Sequence, residues 1–351
     1  AWTFGGVDPG TGTASLLEVA RVLGTMAKTG WRPARSIALA FWDAEEFGLI
    51  GSTEYAEQLR RQLQQQLIMY VNTDMYMKGR LDPGGVPSLR DFVIDVARDV
   101  PQDSSTVLAL WRRSAWERTS PAQRIGLAGE FVPALKNLGS GADFVPFQDH
   151  LGIPSLSMEF IGANGYGFGT YHSNYDSRAY VERIADPGFA QGVTMVGMLG
   201  TLALRMANAE VVPFRFTPYA QALVAALDTT PHRQRARNAL VQARLLDSAV
   251  TRALARGTVT AARARSLNDR LARLEQHLTD DAGHVDSKWY RHVFYGWNIY
   301  SLYDGQPFPG LAEAQRLRDD ARVTREMARI GGALDRMIVE LRAARALALA
   351  L

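Results

Sequence analysis

The sequence contains no cysteine, which excludes disulfides, thiolate metal sites and cysteine nucleophiles; the compartment stays undecided, because cytosolic and exported proteins can both lack it. Lysine is scarce, with arginine supplying 35 of the 39 basic residues. Many of those arginines lie between Arg233 and Arg273 in helix-like sequence with no aromatic residue among them. They read as solvated faces of amphipathic helices, and with a formal net charge of only +3 no nucleic-acid partner is expected. No run of about 18 apolar residues is present to span a bilayer. Ala1-Trp2-Thr3-Phe4 has neither the basic start nor the apolar stretch of a signal peptide. The chain opens in what reads as the middle of a motif, so it is expected to be the C-terminal portion of a larger protein whose targeting region lies upstream, with a periplasmic or secreted location favoured.

A length of 351 residues and an apolar content of 47% are globular and exceed what one ordinary core uses, so two domains are expected. Leu16, Val19, Ala20, Leu23 and Ala27 recur at helical spacing over residues 10–28, and Gly30 follows as a stop. Residues 36–42 then form a short, almost wholly apolar run of the kind found in strands buried on both faces. The alternation continues with helices near 53–66, 89–97, 143–151 and 186–208 and strands near 67–72 and 155–160. This predicts an α/β fold, a mainly parallel sheet with flanking helices. Beyond Pro213 strand-like runs nearly vanish. Leu267, Leu271, Leu274 and Leu278 mark one apolar helical stripe, and Leu334, Ile338, Leu341 and Leu347 another. The expected division is therefore a catalytic α/β domain over 1–212 and an all-α helical bundle over 213–351.

Ligands of open α/β sheets bind beyond the carboxyl ends of the strands, where loops converge. Four loops there carry an acid or an imidazole. Asp8 lies in Gly5-Gly6-Val7-Asp8-Pro9-Gly10 before the first helix, Glu45 and Glu46 follow the strand ending at Asp43, Asp74 follows Asn72, and His172 sits in Gly169-Thr170-Tyr171-His172-Ser173. Taken singly, each has an ordinary reading: an Asp that caps a helix, a Glu-Glu pair in a solvated first turn, a histidine satisfied locally. Joint placement on one sheet edge is what points to a two-metal hydrolase. Adjacent Glu side chains cannot point the same way, so one can bind metal while the other faces the water. In such a site Asp8 would bridge two ions and Glu45 would take the proton.

The blocks Trp2-Thr3-Phe4-Gly5-Gly6-Val7-Asp8-Pro9, Trp42-Asp43-Ala44-Glu45-Glu46-Phe47-Gly48-Leu49-Ile50-Gly51-Ser52, Leu138-Gly139-Ser140-Gly141-Ala142-Asp143-Phe144 and Tyr171-His172-Ser173 resemble the glutamate carboxypeptidase and transferrin-receptor group of di-zinc M28 peptidases. Trp289-Tyr290-Arg291-His292-Val293 and Phe308-Pro309-Gly310 extend the likeness into the helical part. The resemblance implies a zinc exopeptidase acting on peptide substrates. Asp8 would bridge two zinc ions, Glu46 and His172 would complete one, Asp74 would bind the other, and Glu45 would be the general base. Tyr171 would steady the oxyanion of the tetrahedral intermediate, and Glu54 and Glu57 would help bind a structural calcium, with hydrated surface carboxylates as the other reading. The region after Pro213 resembles the group's helical dimerisation domain, which implies a homodimer.

Two departures from that pattern matter. In the family a His-Xaa-Asp motif just upstream of this start supplies a third ligand to the zinc of Asp74, and two carboxylates fall short of the usual three protein ligands. Residues 1–351 are therefore expected to bind one zinc well and a second poorly. In the substrate pocket, which the resemblance places at Ser140, Gly141, Ser157, Glu159, Leu302 and Tyr303, Ser157 and Glu159 stand where glutamate-preferring members carry arginines. Leu302 replaces a lysine and Ala142 an asparagine. A pocket for a terminal glutamate needs cations, so an aminopeptidase-like preference is expected, with Glu159 meeting an amine. The rival expectations are a non-catalytic, receptor-like dimeric binding module, and a cyclotransferase or deacetylase built on the same metal scaffold.

Overall fold

In a computed structural model, which describes residues 3–120, 124, 131–162, 169–283, 287–298 and 301–351, the helix expected over residues 10–28 is present with those bounds, α1 (Gly10–Lys28). Its first turn presses on the backbone of Thr73 and Asp74. A Cβ on Gly12 would come within 2.4 Å of the Asp74 carbonyl oxygen and 2.5 Å of that of Thr73, so only glycine fits there. Thr11 completes the contact, its hydroxyl accepting the Tyr76 N–H at 2.8 Å.

The expected central strand over 36–42 carries no ladder pairing among the described residues, and Phe41 at its end is 52% exposed. Apolar composition favours extended backbone, but a strand also needs a neighbour to take up its N–H and C=O groups. The helix read at 53–66 is two helices, α2 (Ile50–Gln58) and α3 (Arg60–Gln66), broken at Leu59. The chain continues through β1 (Tyr70–Asn72), β2 (Arg80–Leu81), β3 (Gly84–Gly85), α4 (Arg90–Asp99), the two-residue strands β4 (Pro101–Gln102) and β5 (Ser105–Thr106), and α5 (Val107–Arg118). Then come a wide turn over Pro146–His150, β6 (Ser155–Ser157), β7 (Phe160–Ile161) and α6 (Arg178–Tyr180).

The sheet is mixed rather than mainly parallel. β1 pairs with β6 in parallel, Val71 opposite Leu156, while β3 lies antiparallel on the other side of β6. β2 and β7 form a separate antiparallel pair. Helix-strand alternation in a sequence reports chain order, whereas strand direction depends on whether a connection crosses over or doubles back. Here the link from β1 to β3 within that sheet carries only β2 and no crossover helix.

The helix expected over 186–208 starts later, as α7 (Ala190–Asn208), with the Asp186 carboxylate accepting the N–H groups of Gln191 (3.1 Å) and Gly192 (2.9 Å). Helices then dominate: α8 (Thr217–Leu227), α9 (Arg233–Ala255), α10 (Arg265–Arg273), α11 (Pro309–Arg316) and α12 (Asp320–Leu349), but the part expected to be all-α also holds an antiparallel pair of strands, β8 (Trp297–Asn298) and β9 (Ser301–Gly305). Ala236, Ala239, Ala243 and Ala253 line the buried side of α9, and Ala333, Leu334, Met337 and Leu341 that of α12. Small residues along one of two packed helices allow close approach, and the larger ones on the other fill the seam.

One buried apolar cluster runs from Phe92, Trp111 and Leu156 through Phe214, Phe216 and Tyr219 to Leu246 and Leu341. A polar link crosses the same boundary. The Asp149 carbonyl accepts the N–H groups of Arg291 and His292, and the fully buried His292 imidazole meets the Glu275 carboxylate at 2.9 Å, which also accepts from the Tyr219 hydroxyl.

Candidate metal centre

The loop carrying Asp8 is held by residues beyond His172. The buried Asp176 carboxylate accepts the Val7 N–H at 2.7 Å and the Asp8 N–H at 3.1 Å, and its carbonyl accepts the Gly6 N–H. A side chain on Gly6 would strike the Ser177 backbone at 2.4 Å, which is why the loop needs glycine there. The Asp8–Pro9 peptide bond is cis. Glu45 and Glu46 occupy a single turn, Glu45–Phe47, bracketed by the left-handed residues Ala44 and Gly48, so the two carboxylates diverge as adjacent positions must.

His172, itself at positive φ (53°) and stacked on Tyr171 with ring centroids 3.7 Å apart, reaches both other loops. Its Nε2 lies 3.2 Å from Glu46 Oε1 and 3.5 Å from Asp8 Oδ2. One donor atom from each of Asp8, Glu46 and His172 falls within 4.8 Å of the others, spacing that one cation could share. A non-glycine residue held at positive φ by its surroundings is common where a side chain must be aimed.

Asp74, Glu45 and Tyr171 surround that trio. Asp74 leaves the end of β1, and both of its oxygens accept from the Asn72 amide nitrogen at 2.9 Å. Burial raises its pKa well above the usual carboxylate range, with repulsion from Glu159, Asp8 and Glu45 adding to it. Asp8 is pushed up to about 6 by burial and then by Glu46, with His172 pulling the other way. Burial, then Asp143, Glu46 and Asp8, raise Glu45 to about 7. Four carboxylates crowded at one cleft end repel one another, and a divalent cation among them would reverse that repulsion. Oxygen and imidazole donors of this kind suit zinc and its first-row neighbours. The Tyr171 hydroxyl is 3.0 Å from that of Tyr303, and burial pushes its pKa far up, so it stays protonated and able to donate.

Ser140, Gly141, Ser157, Glu159 and Tyr303 line the same open cleft of about 1980 Å³ as Asp8, Glu45, Glu46, Asp74 and His172. The side chain of Leu302 lies outside the described residues. Glu54 and Glu57 sit apart on the exposed side of α2, where Glu57 accepts from the Trp289 indole at 2.6 Å. The residues that sequence reasoning missed are those behind the candidate metal-binding side chains: Asp176, Asn72, Tyr70 and Trp42. Only Asn72 carried a signal, lying two residues before Asp74 and therefore on the same face of the extended chain.

Residues 2–193 match peptidase family M28, and residues 227–342 match the transferrin receptor-like dimerisation domain. A probable glutamate carboxypeptidase of Arabidopsis thaliana, LAMP1, is 35% identical over 326 residues, which is 90% of this chain and 45% of that protein. Aminopeptidase NAALADL1 of Mus musculus is 32% identical over 339 residues, 90% of this chain and 44% of that protein. A second Arabidopsis thaliana relative, the probable glutamate carboxypeptidase AMP1, is 31% identical over 354 residues, covering 96% and 48%. The chain thus spans a little under half the length of these relatives. With more than half of its length matched, and with the carboxylates and imidazole of the matched region gathered at one cleft, the chain belongs to peptidase family M28 and carries a transferrin receptor-like dimerisation domain after it.

Proposed function

We propose that this chain is the catalytic and dimerisation part of a zinc-dependent exopeptidase, with residues 1–212 carrying the chemistry and residues 213–351 the homodimer contact. The observation that carries it is the meeting of Asp8, Glu46 and His172 within reach of one cation, with Glu45 lining the same cleft. Asp8, Glu46 and His172 would hold one zinc, and Asp74 a second with Asp8 between them. When bound, the ions supply an electrophile and lower the pKa of the attacking water.

The chain's own groups do the rest. Glu45, a carboxylate lining the same cleft beside the trio, takes the proton from the water and returns it to the leaving amine. Tyr171, kept protonated, donates to the oxyanion that forms on the scissile carbonyl. Glu45→Gln in the full-length protein should cut kcat by roughly 10²–10⁴-fold while leaving the zinc content unchanged. Loss of zinc on that substitution would make Glu45 a ligand and overturn its role as base.

Two features favour an aminopeptidase-like enzyme over one selective for terminal glutamate. Ser157 and Glu159 on the cleft wall offer no positive charge, and Lys136 nearby on the lining is paired with the buried Asp82. One relative bears the name aminopeptidase as well. The receptor-like alternative is disfavoured because all five metal-site and base positions keep groups able to serve. A structural calcium at Glu54 and Glu57 and an exported location belong to the same proposal.

A further inference from the structure

Behind Asp74 runs an unbroken line of side-chain hydrogen bonds. The Trp42 indole nitrogen lies 3.0 Å from the Tyr70 hydroxyl, that hydroxyl lies 3.0 Å from Asn72 Oδ1, and Asn72 Nδ2 lies 2.9 Å from each oxygen of Asp74. The chemistry of the groups fixes its direction. An indole N–H can only donate, and a carboxylate that holds a cation is ionised and can only accept, so in the cation-bound site the Asn72 nitrogen must face Asp74 and its oxygen must face Tyr70. Tyr70 accepts from Trp42 and gives its one proton to Asn72. Every donor therefore points toward the same carboxylate, an arrangement in which each bond polarises the next.

The line is also mechanically held. The Tyr70 ring stacks on Phe147 with centroids 4.1 Å apart and planes within 9°, and Trp42 packs against both Phe147 (5.9 Å) and Tyr55 (5.1 Å). Tyr70 and Asn72 share one face of β1 by their spacing. Residues of the unpaired 36–42 segment and of β1 are thereby tied together through side chains alone.

We propose that Trp42, Tyr70 and Asn72 act as a positioning relay that sets the orientation of the Asp74 carboxylate for a divalent cation. This rests on the reading of Asp74 as a ligand given above. Partners behind a ligand hold its rotamer and basicity, and removing one typically weakens metal binding by roughly 10–100-fold.

The test uses the full-length protein stripped of metal and reloaded with Zn²⁺ or Co²⁺ against a competing chelator. Tyr70→Phe keeps the ring and its stacking and deletes only the hydroxyl. It should weaken the ion held by Asp74 by roughly tenfold or more, leave the other ion unchanged, shift the visible bands of the Co²⁺ form, and lower kcat with KM little altered. Trp42→Phe should act in the same direction, and serves as the readout if Tyr70→Phe folds poorly. Because Trp42 and Tyr70 reach Asp74 only through Asn72, adding Tyr70→Phe to Asn72→Leu should cost nothing further. Affinities within twofold of the parent in both aromatic variants, or fully additive losses in the double variant, would overturn the relay. Asp74→Ala separates the two ideas: if it still binds two ions with parental affinity, Asp74 is no ligand, and the underlying reading fails together with the relay.

Discussion

Asp176 holds the loop that carries Asp8, its carboxylate taking the N–H groups of Val7 at 2.7 Å and of Asp8 at 3.1 Å from 168 positions further along the chain. The loop bearing His172 and the loop bearing Asp8 are thus one unit, and their donors meet because Asp176 joins them. Asp176→Ala would leave two N–H groups without their acceptor in a buried place, at a cost of about 3 kcal/mol. A denaturant titration reads that loss directly. Metal affinity should fall with it, whereas an unchanged affinity would show that the Asp8 loop keeps its place without the clamp.

The candidate donors would be unevenly shared between two ions. Asp8, Glu46 and His172 are near enough to share one cation, while Asp74 is joined to Asn72 and set back from them. Calorimetric titration of residues 1–351 with zinc should therefore show one tight site and a second at least about 100-fold weaker, since catalytic zinc usually has three protein ligands and Asp74 with Asp8 provides two. Two equally tight sites would contradict it.

What the sequence made legible follows from how local each signal is. The first helix could be read to its ends because apolar spacing and a terminal glycine are properties of residues 10–28 themselves. Residues 36–42 misled because a strand is defined by its partner, and apolar content says nothing about which segment will lie beside it. The acidic loops stood out because charge after an apolar run is unusual. Tyr70 and Asp176 did not, since an aromatic in a strand or an Asp in a loop has many ordinary uses; the role of Tyr70 appears only when Trp42, 28 positions away, is set beside it, and that of Asp176 only when Asp8, 168 positions away, is. The fully buried pair of His292 with Glu275, 17 positions apart, escaped because only the fold brings the two side chains together.

Crowded carboxylates give the cation-free protein a definite pH dependence. Glu45 in the fold holds its proton to about pH 7, whereas in the unfolded chain it titrates near its ordinary value of about 4.3. The folded state therefore binds more protons across that interval, and stability falls as pH rises through it, levelling off above the folded value. Glu45→Gln cannot acquire the charge. Without metal it should melt above the parent at pH 7.5, and the two should converge toward pH 4.5. A difference that grows toward acid pH would reverse the sign and refute the assignment of burial as the dominant cause.

On the proposed reading, substrate preference would turn on the cleft wall that carries Ser157 and Glu159. Ser157 is buried in β6 and brings a hydroxyl, and Glu159 lies close enough to Asp74 for the two carboxylates to repel each other. A terminal glutamate would add a further anion to that wall, and burying it without a cation is costly. An incoming ammonium group, by contrast, finds an acceptor there. The full-length protein should accordingly hydrolyse aminoacyl anilides faster than N-acetyl-aspartyl-glutamate. Glu159→Gln removes the negative charge but keeps the shape, so it should raise KM for the free-amine substrates by about tenfold, the worth of one charge-assisted hydrogen bond, with kcat within about twofold because no reacting atom is touched. Equal rates on the two substrates, or a KM indifferent to Glu159→Gln, would remove the amine from the specificity of this cleft.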